Sequence, residues 1–172
     1  SLSLDGKRGL ALSLSQNRQT GLLALRLRDG SVTAQIPTDF KPLAADVCTG
    51  SGIALIAGEE GSSVLTRYTD DEPTTVALNM DTDEKLWAAA LHAPVDGGPP
   101  SHAAVGGNRG ALRVILLRGG VEPGDEAAQT LAGGTQIVLS LLFLRDGRLV
   151  SGDDGGSVRI WAAEPRRWRC LR

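Results

Sequence analysis

Residues 137–161 read IVLSLLFL (137–144), RDG (145–147), RLVSG (148–152), DDGG (153–156) and SVRIW (157–161). Three short apolar strands are separated by two turns built from Gly and Asp. Asp146-Gly147 is a hairpin signal, because a type I′ turn needs positive φ at both of its central positions. The same grammar recurs upstream. LWAAAL (86–91) leads through Asp96-Gly97-Gly98 to HAAVG (102–106), a turn at 107–110, and ALRVILL (111–117). Before it, DVCT (46–49) and GSG (50–52) precede IALIA (53–57), a turn at 58–61, and SVLTRY (63–68). The first unit is looser: strands at 1–4, 10–14 and 21–27, with a longer polar turn at 15–20.

Each unit is completed by a fourth strand, predicted at 31–36, 74–78 and 127–131. Gly58, Gly106 and Gly152 are expected at equivalent positions, 46 to 48 residues apart. Four strands joined by short connections make an antiparallel blade. One such sheet is marginal alone and gains stability by burying both faces between neighbours, which explains strands that are apolar almost throughout. The predicted class is all-β, a β-propeller of four-stranded antiparallel blades with about four blades present. The expected blade boundaries are roughly 1–38, 39–80, 81–132 and 133–165, with 166–172 a basic tail or an outer strand.

Residues 130–161, from Thr130-Leu131-Ala132-Gly133-Gly134 to Trp161, resemble the WD-repeat family. The resemblance rests on Leu-x-Gly, the apolar inner strand, the Asp-Gly turn and LVSGDDGGSVRIW (149–161). It implies a hydrogen-bonded network fixing the blade, with Ser151, Asp154 and Trp161 as members. The pattern departs at Gly134, where the family places His, and at Ala162, where it places Asp; the turn is also one residue longer. In the upstream units Tyr68 or Ile115 stands for the Trp, and Glu60 or Asn108 for the Asp. The resemblance implies a ring of about seven or eight blades, so four blades are expected to be a fragment of a larger propeller. A pair of copies, or early closure of unusual blades, would also satisfy the count.

Composition narrows the function classes. The 172 residues carry a net charge of −2, which gives no global reason to expect nucleic acid. Their 22 glycines argue for tight turns over helices. No apolar run approaches the roughly 18–20 residues needed to cross a bilayer. Cys48 and Cys170 are too few for a disulfide framework, no Asn-x-Ser/Thr sequon occurs, and the first residues do not read as a signal peptide. The expected setting is therefore intracellular, cytoplasmic or nuclear.

Nothing in the sequence demands catalysis. Gly106-Gly107-Asn108-Arg109-Gly110 lacks the Lys-Ser/Thr pair of a phosphate loop and reads as a hairpin turn. Asp153-Asp154 and the acidic runs 70–72 and 81–84 have no calcium-loop spacing and read as solvated turns. His92 and His102 have no partner at a catalytic spacing, and His102, near the start of an inner strand, is expected to be structural. No catalytic residue, cofactor or metal is expected. Rigid propeller loops suit partner recognition at low ordering cost. The turns Asn17-Arg18, Glu59-Glu60, Asn108-Arg109 and Asp153-Asp154 are the candidate contacts of a protein-interaction scaffold. The alternatives are a nucleic-acid contact through the tail Arg166 to Arg172, where arginines flank Trp168, and, less favoured, a propeller enzyme. The enzyme would need charges on innermost strands that read VCT (47–49), WAAA (87–90) and VLSL (138–141).

Overall fold

The structure, a computed structural model, describes residues 2–4, 8–13, 21–26, 32–48, 50–68, 73–78, 84–164 and 167–171. It is all-β: four four-stranded antiparallel sheets, each in simple sequential order. The first blade holds β1 (Leu2–Leu4), β2 (Arg8–Ser13), β3 (Gly21–Arg26) and β4 (Val32–Pro37). The second holds β5 (Pro42–Cys48), β6 (Ile53–Gly58), β7 (Ser63–Arg67) and β8 (Thr74–Ala77). The third holds β9 (Leu86–His92), β10 (His102–Gly107), β11 (Leu112–Arg118) and β12 (Glu122–Thr130). The fourth holds β13 (Val138–Phe143), β14 (Leu149–Asp153), β15 (Val158–Glu164) and β16 (Arg167–Cys170). Most of the basic segment after residue 165 is thus the outer strand of blade 4, paired with β15. Among the described residues no helix is long and apolar enough to cross a membrane.

Blades stack face to face, with β5, β9 and β13 side by side as the innermost strands. Because antiparallel partners point to the same side of a sheet, every blade has a rear face toward its predecessor and a forward face toward its successor. Leu55, Leu65 and Leu78 of blade 2 meet Leu86, Ala103 and Ile115 of blade 3 in one core. Ala104, Leu112 and Val114 of blade 3 meet Val138, Leu149 and Trp161 of blade 4 in the next. This two-sided burial is why the central strands are continuously apolar. At the inner edge, Asp46 Oδ2 accepts a hydrogen bond from Leu91 N at 2.8 Å and ties β5 to β9. Burial pushes the Asp46 carboxyl above its ordinary range, opposed by the backbone N–H groups of Leu91 and Val47.

The observed blades differ from the expected ones in three respects. Gly58 N donates to Ser62 O, Gly107 N to Ala111 O and Asp153 N to Ser157 O. The equivalent positions are therefore Gly58, Gly107 and Asp153, in place of Gly58, Gly106 and Gly152. A side chain at Gly58 or Gly107 would run into the carbonyl of Lys41 or Lys85, at 2.2 and 2.1 Å from the Cβ position. Counting from there, Thr66, not Tyr68, stands with Ile115 and Trp161, and Glu59, not Glu60, stands with Asn108 and Asp154. Type I′ geometry belongs to Glu60-Gly61 (φ 57° and 64°) and Arg109-Gly110 (φ 54° and 71°). At Asp146-Gly147 only the glycine has positive φ, and Gly147 N donates to Leu144 O, so that turn is of another type. His102 opens the second strand of its blade, beside the innermost one.

Candidate interaction surface

The turns linking the second and third strands of blades 2, 3 and 4 lie at the edge where the innermost strands begin. Backbone bonds fix this placement: Glu59 N donates to Lys41 O, Asn108 N to Lys85 O and Asp154 N to Ile137 O. Neighbouring blades are stitched together there by Gly61 N donating to Glu84 O at 2.7 Å.

The structure joins the predicted residues of blades 2 and 3 into one patch. Lys85 Nζ lies 3.2 Å from Glu59 Oε1, and Arg109 Nη1 lies 3.0 Å from Glu84 Oε1. Between them stands Trp87, 37% exposed, whose Nε1 donates to Asn108 Oδ1 at 2.8 Å. Lys85 Nζ sits 5.9 Å from the centre of the Trp87 ring, a cation–π arrangement. Glu60 is an exposed turn residue beside Glu59. Trp87, Lys85 and Glu84 were not among the expected contacts. Trp87 reads as an interior residue of an innermost strand, and only the alternation of that strand turns it outward while Leu86 and Ala88 are buried.

Blade 4 differs. The Asp153 carboxylate is consumed internally: it accepts from Ser157 N at 2.8 Å and from Arg159 Nη1 at 2.5 Å. Arg159, then the Ser157 N–H, hold the Asp153 carboxyl below its ordinary value. Asp154 Oδ1 accepts from Ile137 N at 2.8 Å, joining the turn to the start of β13. Trp161 Nε1 donates to the buried Ser151 Oγ at 2.9 Å. Asp154 is exposed and its described bonds go to Ile137, not to the Ser151–Trp161 pair. Asn17 and Arg18 lie outside the described residues, as do residues 70–72 and 81–83 of the acidic runs.

The histidines and the basic strand meet elsewhere, at the junction of blades 3 and 4. Ser101 Oγ is 2.9 Å from His92 Nδ1 and 3.0 Å from His102 Nδ1, and Phe143 and Trp168 pack against the His102 ring. Burial, and then the nearby His92, lower the His102 pKa from 6.5. Gln129 clamps the Trp168 backbone, accepting from its N–H at 2.6 Å and donating to its C=O at 3.2 Å. Arg167 and Arg169 both lie beside Glu164, at 3.7 and 3.0 Å. Trp168 is half-buried at the blade junction, packed against His102 and Phe143. Among the described residues no group of three His, Cys, Asp or Glu side chains is placed to hold a metal.

By sequence, neither a protein-family model nor a curated protein matches the chain. Its backbone resembles solved propellers. The RRP9 WD40 repeats match with a TM-score of 0.72 at 15% identity, over 97% of this chain and 50% of theirs. The β-propeller domain of Swd1 from Myceliophteria thermophila matches with 0.69 at 15% identity, over 97% and 55%. The WD40 β-propeller domain of Doa1 matches with 0.54 at 17% identity, over 76% and 40%. The chain spans about half the length of these solved structures. It has the fold of the WD-repeat β-propellers, of which it supplies four consecutive blades.

Proposed function

We propose that the chain is a protein-interaction scaffold, and that a protein partner docks on the edge patch of Glu59, Lys85, Trp87, Asn108 and Arg109. The observation that carries this reading is Trp87. It is a large amphipathic ring, partly exposed to solvent and held by Asn108 and Lys85. Tryptophan concentrates binding energy at interfaces, and a ring already held in place loses little freedom on binding. The flanking ion pairs place both signs of charge around the ring, suited to a partner with complementary charges at its rim. The patch is built on strands that the blade stack makes rigid. A partner surface with an apolar recess for the indole and polar groups around it fits this description.

The test compares capture of partners by the wild-type chain and by Trp87→Ala, quantified by mass spectrometry. A stoichiometric protein partner is expected with the wild type. Recovery should fall by about thirtyfold with Trp87→Ala, the loss of a hot-spot side chain of about 2 kcal/mol, while the circular dichroism is unchanged. Equal recovery by both chains, or no stoichiometric partner at all, would overturn the reading.

A further inference from the structure

By the register fixed above, His92 and His102 of blade 3 stand where blade 2 has Cys48 and Ile53. Those two side chains are buried in the apolar core between blades 2 and 3. In blade 3 the same pair of positions, matched across β9 and β10, faces blade 4 and meets Phe143 and Trp168. Two imidazoles, their centres 6.1 Å apart, thus occupy a place that blade 2 fills with apolar contact. They are the two histidines of the chain.

Ser101 joins them, with its Oγ 2.9 Å from His92 Nδ1 and 3.0 Å from His102 Nδ1. A hydroxyl has one proton, so it donates to one ring and accepts an N–H from the other, and the neutral rings are opposite tautomers. His92 Nε2 is buried and has no hydrogen-bond partner among the described residues. An unpaired acceptor is tolerated better than an unpaired N–H. The network therefore assigns the His92 proton to Nδ1, facing Ser101, and turns the Ser101 proton toward His102 Nδ1.

This arrangement resists a further proton. On His92 it would go to Nε2 and leave a buried N–H without an acceptor. On His102 it would go to Nδ1, against the Ser101 hydroxyl proton, and the hydroxyl would have to turn away. The resulting cation would sit half-buried among Phe143, Trp168 and a second imidazole. The charged groups of the surrounding elements are Asp96 in the β9–β10 connection, Arg118 and Glu122 at the β11–β12 turn, Arg145, Asp146 and Arg148 around the β13–β14 turn, and Glu164, Arg167 and Arg169 of β15 and β16. Asp146 pairs with Arg148, and Glu164 lies beside Arg167 and Arg169. Among the described residues no carboxylate pairs with either imidazole.

We propose that His92, Ser101 and His102 form a pH-sensitive latch on the junction of blades 3 and 4, closed while both rings are neutral and weakened when the pair takes a proton. The latch is independent of the partner that docks on Trp87. Its sign follows from linkage. The unfolded chain takes the proton more readily than the folded one, so the latch contributes fully above the ordinary histidine value of 6.5 and is lost as the pH falls from there through the lower folded value.

The experiment is urea unfolding of the 172-residue chain from about pH 7.5 to about pH 5.5, the range in which histidine changes charge. The unfolding constant should rise as the pH falls, by up to about tenfold for each pH unit by which folded His102 titrates below 6.5. His92→Cys with His102→Ile, the pair that blade 2 carries, should flatten the profile. His92→Gln with His102→Gln should do the same and serves should the first not fold. Hydrogen exchange, corrected for the intrinsic effect of pH, should show β14 and β15 losing protection over this range while β6 and β7 keep it. The proton NMR signals of the two histidines need no variant, and His102 should titrate below 6.5. A wild-type profile that is flat or reversed, a folded double variant that keeps the wild-type slope, equal loss of protection in blades 2 and 4, or a His102 midpoint at or above 6.5 would overturn the proposal.

Discussion

At the scale of single residues, blade 4 is held by two side-chain pairs of different character. Trp161 is buried and its indole N–H has Ser151 Oγ as acceptor. Ser151→Ala removes that acceptor and leaves a buried donor unsatisfied, so it should lower the unfolding free energy by about 1–3 kcal/mol, read from urea titration. The second pair, Asp153 with Arg159, depends on pH. The folded carboxyl titrates below its ordinary 3.8, so its stabilisation is present above that pH and is lost as the pH falls through the lower folded value. Asp153→Asn should therefore flatten the acid limb of melting temperature against pH below about pH 4, leaving the part that Asp146 and Arg148 contribute. Of the network that the WD-repeat resemblance implies, the structure forms the pair of Ser151 and Trp161. The role of Asp153 was not legible, because sequence order cannot say which of two adjacent aspartates turns toward Arg159.

At the scale of elements, hairpin turns set the register of each blade. Glu60 (φ 57°, ψ 33°) and Gly61 (φ 64°) occupy the two left-handed positions of a type I′ turn. A glutamate there is strained, whereas Asn-Gly is the preferred pair for this turn. Glu60→Asn should stabilise the chain by about 0.5–1 kcal/mol, measured as a higher urea midpoint at unchanged slope. Strand existence and order were readable from the alternation of apolar runs with Gly-rich turns. The phase between blades was not. Adjacent glycines at 106 and 107 look alike in sequence, and the bond from Gly107 N to Ala111 O distinguishes them.

At the scale of the whole molecule, stability comes from junctions between blades, each shared only by nearest neighbours. Leu55 lies in the core between blades 2 and 3 and Leu149 in that between blades 3 and 4, both fully buried. Leu55→Ala and Leu149→Ala should each cost about 2–5 kcal/mol. The double variant should lose the sum to within about 0.5 kcal/mol, because the two sites lie in separate cores. The stack also explains the division of information in this chain. Apolar-rich strands of three to nine residues between glycine turns dictate hairpins and blades by themselves, because these are local consequences of side-chain alternation and of turns that need positive φ. Which residues meet across blades was decided only in the tertiary structure: Asp46 against Leu91, His102 against Trp168. Those contacts depend on the phase between sheets, and a shift of one residue exchanges the two faces of a strand without changing its local pattern.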